Sequence, residues 1–216
     1  MGGKRSHRSV RCIGCRMILQ LCICGFIPQI EARARFLFVV HPSERWKTTN
    51  TGRIAVQGLR DADMVYWTGR VSPFEPAVSV AADASAVLFP PSDGRPALAP
   101  AVWAAEVESR GLRPTVVVPD GTWPQCRKMV GKHDALRELP RLALPGHAAG
   151  RGGLRLECLS YGMSTIDAVA WMLEALDGPA AAAPMAALHR AMLERTMASR
   201  GKPLPDGPTL KELLAP

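Results

Sequence analysis

The sequence predicts an α/β fold in which a mostly parallel β-sheet carries helices on both faces, preceded by a small N-terminal module with four cysteines. Short runs of β-branched and other apolar residues alternate along the chain with longer segments of helical periodicity. The short runs are apolar at nearly every position, as in strands of a parallel sheet that helices cover on both sides. The chain has 216 residues, 47% of them hydrophobic, which is enough to bury a core of this kind.

The predicted elements follow one another in alternating order. Short apolar runs bounded by turn residues predict strands at residues 36–40, 64–67, 86–89, 115–119 and 141–144. Apolar residues at helical spacing predict helices within 48–59 and over 98–110, 123–139, 164–176 and 184–200. We predict three parts: a basic four-cysteine segment (1–35), an α/β domain (36–178), and a C-terminal helix with a loose tail (179–216).

The net charge of +8 is concentrated near the N-terminus. Residues 1–53 contain ten Lys and Arg residues against two Glu residues, which accounts for the whole excess. Such a concentrated positive field is typical of a protein that binds a polyanion, although a solvated basic tail is an alternative for residues 4–11.

Two observations bear on location. No run of 18 apolar residues occurs, so we expect no helix that spans a membrane. The apolar stretch 17–27 resembles a secretory signal, but Cys22 and Cys24 interrupt it and no clear cleavage site follows. We therefore expect a cytoplasmic protein.

Four cysteines lie close together near the N-terminus: Cys12, Cys15, Cys22 and Cys24. Four thiolates at this spacing can close a tetrahedral zinc site, and four protein ligands leave no coordination position open for catalysis. The alternative is a set of buried or redox-active thiols. The two close pairs and the basic surroundings favour a structural zinc ion. Cys126 and Cys158 stand alone and are expected to be small core residues.

The segment 41–53 places several polar groups between a predicted strand and a predicted helix. It reads His-Pro-x-Glu-x-x-Lys-x-x-Asn-Thr-Gly-Arg. Thr51 is a candidate N-cap for the helix through its hydroxyl. A helix N-terminus beside Arg53 also suits an anion such as a carboxylate or a phosphate, and Gly52 permits close approach of the backbone. The two interpretations are compatible.

The tetrapeptide Asp120-Gly121-Thr122-Trp123 follows the predicted strand at 115–119. Gly121 suits a sharp turn and Thr122 suits the N-cap of the next helix. Asp120 then stands at the carboxyl end of a strand, where parallel sheets bind their ligands. An ordinary Asp-Gly turn is the alternative.

A fourth motif, Tyr-Gly-Met-Ser-Thr-Ile-Asp-Ala, occupies residues 161–168. Ser164 or Thr165 is expected to cap a helix, and Asp167 would complete an approximate capping box or complement the helix dipole. These roles need no functional explanation, so the motif carries little weight by itself.

Taken in order, the four blocks resemble the pattern of the DTW-domain family of tRNA-uridine aminocarboxypropyltransferases. That pattern runs from N-terminal cysteines, through His-Pro-x-Glu-x-x-Lys and Asn-Thr-Gly-Arg, to an Asp-Gly/Ser-Thr-Trp signature and a final Ser-Thr-x-Glu-Ala. Here the blocks extend from Cys12 to Ala168, which is most of the chain. The tetrapeptide alone is weakly specific, whereas the ordered set is specific. The departures are Asp167, where the family has Glu, and Cys126, where a small Ala is common.

The resemblance implies a SPOUT-like α/β fold, which admits a C-terminal trefoil knot. It also implies S-adenosylmethionine as the donor, N3 of a tRNA uridine as the acceptor, and methylthioadenosine as the released product. By analogy with related rRNA aminocarboxypropyltransferases, the residues expected to contact the donor are Thr51, Leu142, Tyr161 and Thr165.

The implied reaction needs few catalytic groups. The N3–H of uridine is weakly acidic, so a base would help to remove its proton, and Asp120 is the candidate. Choosing the aminocarboxypropyl group over the methyl group depends on which carbon of the sulfonium faces the base, so positioning should dominate. The cysteine module and the basic first quarter would hold the tRNA, with candidate RNA contacts at His41, Arg45, Lys47 and Arg53.

Two other functions fit the same motifs. A SPOUT-type RNA methyltransferase would use the same donor but release S-adenosylhomocysteine. A zinc-containing RNA-binding module without catalysis would explain the cysteines and the basic segment, and it would not need Asp120.

Overall fold

A computed structural model describes residues 10–69, 81–91, 96–143 and 163–203. The strands are β1 (Arg35–Val40), β2 (Ala62–Tyr66), β3 (Ser85–Leu88), β4 (Ala97–Leu98), β5 (Thr115–Asp120) and β6 (Arg141–Leu142). The α-helices are α1 (Thr51–Gly58), α2 (Pro100–Ser109), α3 (Trp123–Lys132), α4 (Asp134–Arg137), α5 (Thr165–Asp177) and α6 (Pro179–Ser199). Short 3-10 turns occur at Leu19–Leu21, Cys24–Phe26 and Pro42–Glu44.

The six strands form one sheet in the order β2-β1-β5-β3-β6-β4, and every described pair is parallel. Successive residues of a strand point to opposite faces, and both sets are buried. In β1, Phe36 and Phe38 belong to one apolar cluster, whereas Leu37 and Val39 belong to another. This arrangement explains why the strand sequences are apolar throughout, and it confirms the predicted parallel sheet.

Helices cover both faces of the sheet, as predicted. Apolar residues of α1, α2, α5 and α6 pack on the first face, and those of α3 and α4 pack on the second. The cysteine segment joins the first face, because Cys15, Met17 and Ile23 are buried in the same core cluster. The three-part division of the chain stays a prediction. None of the helices in the described ranges combines the length and apolar character needed to cross a membrane.

The central strands β1 and β5 form the topological switch point of the sheet, and we call the position at their carboxyl ends the crevice. After β1 the chain enters α1 on the first face, whereas after β5 it enters α3 on the second face. The connections therefore leave two adjacent strands in opposite directions, which is the position where open parallel sheets bind ligands. Val40 and Asp120, the last residues of these strands, are partners in the register.

Three predicted helices differ from the structure in their bounds or continuity. The helix predicted at 98–110 begins two residues later in the structure, at Pro100, because Ala97–Leu98 forms the short edge strand β4. The predicted helix at 123–139 is divided, because His133 has extended backbone angles and separates α3 from α4. The last helix starts at Pro179, ahead of the predicted Pro184, which lies inside it. The predicted knot depends on the path of residues 144–162, which lie outside the described residues.

Candidate active site and metal centre

Asp120 is the buried acidic group at the centre of the crevice. It is the last residue of β5 and only 3% exposed. The amide Nδ2 of Asn50 donates a hydrogen bond to Oδ2 of Asp120, and the hydroxyl of Thr165 donates to Oδ1 at 2.6 Å. Each carboxylate oxygen therefore accepts a hydrogen bond from a different helix start. A simple Asp-Gly turn does not account for these long-range partners.

Asn50 connects Asp120 to the first turn of α1. It is the N-cap of that helix, and its Oδ1 accepts a hydrogen bond from the backbone N–H of Arg53 at 2.6 Å. The prediction that Thr51 caps α1 is wrong: Thr51 is the first helical residue and is buried. Asn is a strong N-cap residue because its short side chain reaches the first turn. While Oδ1 of Asn50 caps the helix, its Nδ2 donates the hydrogen bond that holds Asp120.

Gly52 allows the backbone of α1 to lie directly against the carboxylate. A Cβ at this position would lie 2.5 Å from Cγ of Asp120 and 2.7 Å from each of its oxygens, closer than real Cβ contacts. The prediction that Gly52 permits close approach of the backbone is therefore confirmed. The group that approaches it is Asp120 of the same chain.

The N-terminus of α5 lies on the other side of Asp120. Ser164 is its N-cap, confirming the prediction, and its hydroxyl donates to Oδ2 of Asp167 at 2.7 Å. Oδ1 of Asp167 lies 2.6 Å from Nδ1 of His189 on α6, and His189 is buried. This chain of contacts fixes the start of α5, and with it Thr165, against α6. Sequence reasoning missed His189, which stands in an apolar stretch without a motif.

His41 lies beside the crevice, and its backbone, not its imidazole, makes its hydrogen bond to Asp120. Its backbone N–H donates to the carbonyl oxygen of Asp120 at 2.9 Å. Its Nδ1 lies 2.8 Å from the hydroxyl of Ser43, which also accepts a hydrogen bond from Gln125 at 2.9 Å. Burial lowers the pKa of His41 and favours the neutral imidazole. The ring faces Trp67 at 5.7 Å between centroids.

The cations of the 41–53 segment have different surroundings. Arg53 is half-buried and donates to the carbonyl oxygens of Gly14 at 2.7 Å and Cys15 at 3.0 Å, so it joins α1 to the cysteine segment. Burial lowers the pKa of its guanidinium. Lys47 pairs with the buried Glu44 at 2.6 Å. Arg45 is exposed. That His41, Arg45, Lys47 and Arg53 contact RNA stays a prediction.

The four residues expected to contact the donor are only partly brought together. Thr51 and Thr165 both begin helices whose N-termini adjoin Asp120. Leu142 is fully buried at the end of β6, beside Leu88 of β3. Tyr161 lies outside the described residues. Donor contacts at these four positions remain a prediction.

The four N-terminal cysteines form a compact sulfur cluster. All four sulfur atoms lie within 4.8 Å of one another. Cys12 and Cys24 are 3.5 Å apart, and Cys15 and Cys22 are 3.7 Å apart. A tetrahedral zinc ion with Zn–S bonds of about 2.3 Å requires S–S separations of about 3.8 Å, so the cluster has the right size for zinc. It could therefore hold a metal ion with thiolate ligands.

Hydrogen bonds and burial shift the pKa values of two thiols of this cluster in opposite directions. A hydrogen bond from the backbone of Cys15, with further ones from Cys22 and Cys24, lowers the pKa of Cys12 to about 6. Burial raises the pKa of Cys24 to about 12. Several thiolates held this close together would repel one another. A divalent cation at its centre would remove this repulsion.

A family model described as the DTW domain matches residues 9–197, which include the cysteine cluster, Asp120 and most of α6. No solved structure matches the chain.

Proposed function

The chain belongs to the DTW domain family, the domain family of tRNA-uridine aminocarboxypropyltransferases, and we propose that it modifies tRNA by this reaction. It would transfer the 3-amino-3-carboxypropyl group of S-adenosylmethionine to N3 of a uridine and release methylthioadenosine. The observation that carries the proposal is the carboxylate of Asp120, which receives hydrogen bonds from the starts of both α1 and α5 at the crevice.

The crevice suits a donor that carries a positive sulfonium. A buried carboxylate has few water molecules to screen it, so its field attracts a nearby cation strongly. The half-buried hydroxyl of Thr165 and the first turn of α1 at Thr51 border the same carboxylate. Both are positions at which the family resemblance implies donor contacts. S-adenosylmethionine supplies the electrophilic carbon when it is bound.

The residues of this chain would manage the proton of the uridine. In the transfer, N3 forms a bond to carbon as the carbon–sulfur bond breaks, and the N3 proton must leave. Asp120 is only 3% exposed, whereas Thr165 is half-buried and already donates to Asp120. The Thr165 hydroxyl would accept the N3 proton while passing its own proton to Asp120. Asn50 would keep the carboxylate in the orientation that this relay needs.

The cysteine cluster would act as a structural zinc site. Its four sulfur ligands leave no open coordination position, so the ion would shape the N-terminal segment without entering the reaction. The exposed side of that segment would contact the tRNA backbone, and binding would weaken as salt increases.

The direct test is to incubate the purified protein with a tRNA transcript and S-adenosylmethionine, and to analyse both products by mass spectrometry. We expect modified uridine and methylthioadenosine in equal amounts. Release of S-adenosylhomocysteine would instead identify an RNA methyltransferase.

The matched variant is Asp120→Asn, which preserves the shape of the side chain but cannot take up a proton. Loss of general-base catalysis typically costs about 10²- to 10⁴-fold in rate, so we expect kcat to fall by that range with tRNA affinity unchanged. Undiminished transfer in Asp120→Asn would refute the base assignment. Binding of tRNA without any transfer by the wild-type protein would indicate a non-catalytic RNA-binding module.

A further inference from the structure

Within the described part of the chain, Trp46 is the one large aromatic side chain that is mostly exposed, at 73%. Two guanidinium groups lie against its ring, those of Arg16 and Arg45, each 5.1 Å from the ring centroid. The guanidinium of Arg45 also lies 4.9 Å from the centroid of the Tyr66 ring. Arg16, Trp46, Arg45 and Tyr66 thus form one cluster of cations and rings, which we call the Trp46 ladder.

The ladder is held from two sides. Arg16 closes the tight turn of the cysteine segment, where its N–H donates to the carbonyl oxygen of Cys12 at 2.9 Å. Its φ of 61° is rare for a residue other than glycine, and its side chain donates to the carbonyl oxygen of Arg45. On the other side, the loop before Trp46 is anchored by the buried Glu44. An exposed indole is therefore presented on a fixed loop.

The position of the ladder relative to Asp120 follows from the strand register. Tyr66 is level with Val40, and Val40 is level with Asp120 on its other side. Tyr66 therefore lies two strand spacings from Asp120, or about 10 Å, with its side chain on the same face of the sheet. The ladder begins there and continues towards the cysteine cluster. An extended ligand that lies along the ladder would therefore reach the crevice.

The chemistry of the ladder fits a single-stranded nucleic acid. The flat face of an indole stacks on any nucleobase, and guanidinium groups beside it can bind the flanking phosphates. A protein or lipid partner would be expected to use a broader apolar patch without interleaved cations. An indole that is 73% exposed contributes little to the core, so folding gives it no obvious role.

We propose that the Trp46 ladder stacks an unpaired base of the substrate RNA next to the target uridine, and that Arg16 and Arg45 bind the adjoining phosphates. This inference rests on the proposed function for the identity of the RNA. It adds a binding surface outside the crevice, and it assigns the N-terminal cysteine segment a direct part in forming that surface through Arg16.

The test is a double-mutant cycle on the full-length protein. Affinity is measured for a short RNA hairpin with a loop of uridines and for the same hairpin with abasic nucleotides in the loop. The protein is wild type, Trp46→Leu, which keeps apolar area without a ring face, or Trp46→Phe, which keeps a ring. We expect Trp46→Leu to weaken binding of the uridine loop by about tenfold or more and to leave the abasic hairpin unaffected. Trp46→Phe should retain most of the affinity.

Two outcomes overturn the ladder as a base-stacking surface. One is equal loss for both hairpins in Trp46→Leu, which would indicate a general effect on folding or charge. The other is a wild-type protein that binds both hairpins equally. Turnover at saturating tRNA is measured separately. Discrimination between the loops without transfer would refute the proposed reaction alone, whereas transfer without discrimination would refute the ladder alone.

Discussion

Gly52 leaves no room for a side chain beside Asp120, and a substitution at this position tests the geometry of the site. Gly52→Ala would place a methyl group closer to the Asp120 carboxylate than van der Waals contact allows, so either α1 or Asp120 must move. Overpacking of this kind costs about 1–3 kcal/mol of stability. Displacement of a catalytic group by about 1 Å can cost about a hundredfold in rate, and we expect a loss of that order in turnover.

Gly131→Ala is the matched control for this prediction. Gly131 lies on the exposed side of α3, where an added Cβ meets nothing within 4 Å. Because Ala is favoured over Gly in a helix by about 0.5–1 kcal/mol, this variant should be slightly more stable and fully active. Thermal unfolding and steady-state kinetics measure both variants. Wild-type turnover in Gly52→Ala would mean that its contact with Asp120 is not part of the active geometry.

At this scale the sequence revealed the residue types of the site but not their partners. Asp120, Gly52 and Thr165 could be singled out because each follows a strand or begins a helix. The hydrogen bonds that join Asp120 to Asn50 and Thr165 span 70 and 45 residues of the chain. Local spacing contains no information on such contacts, which depend on the order of strands in the sheet.

At the scale of elements, α1 is the connection between the cysteine cluster and the crevice. Its N-cap Asn50 holds Asp120, while Arg53 in its first turn holds the backbone of Gly14 and Cys15. A change in the cysteine segment should therefore reach the crevice through a single helical turn. The sequence indicated that Arg53 lies at the start of a helix. It did not indicate that Arg53 forms hydrogen bonds to the cysteine segment.

Removal of one sulfur ligand tests this connection. Cys12→Ala removes one of the four sulfur ligands, so we expect loss of bound zinc, a lower unfolding temperature and weaker tRNA binding. Cys126→Ala is the control, because this buried thiol on α3 lies outside the cluster. It should keep its zinc and its tRNA affinity. Metal content is measured by elemental analysis. Full zinc content in Cys12→Ala would contradict the four-cysteine site.

Helix boundaries show where periodicity is a weak guide. The apolar spacing of α3 continues past His133, and only the backbone at that residue divides the helix. In α6 the residues 180–183 are all Ala, the strongest helix former, so the helix extends ahead of Pro184. Pro184 is the sixth residue of this helix and cannot donate the usual hydrogen bond to the carbonyl oxygen of Ala180, yet the helix continues through it.

At the scale of the whole molecule, the sheet order explains why distant motifs meet. The central strands β1 and β5 send their following helices to opposite faces, so the polar loops after both strands border one crevice. The parallel sheet and its two covered faces could be predicted from uninterrupted apolar strands. The strand order could not, because every strand is apolar and none identifies its neighbour.

The basic first quarter is less uniform in the structure than in the sequence. Arg33 pairs with Glu108, Arg35 with Asp63, and Lys47 with Glu44. These cations are partly neutralised by carboxylates that net charge alone does not locate. Arg16 and Arg45 lie instead beside the exposed Trp46. Within residues 10–53, the part of this segment that the structure describes, the positive surface expected to meet RNA is therefore narrower than the sequence indicates.

The most direct test of the proposed aminocarboxypropyl transfer measures which part of isotopically labelled S-adenosylmethionine enters tRNA. Two preparations of S-adenosylmethionine are used, one labelled in the methyl group and the other in the carboxylate of the amino-acid part. We predict that tRNA incubated with the wild-type protein acquires the carboxylate label and no methyl label, and that Asp120→Asn reduces this incorporation strongly. Incorporation of the methyl label, or of neither label, would contradict the proposed transfer.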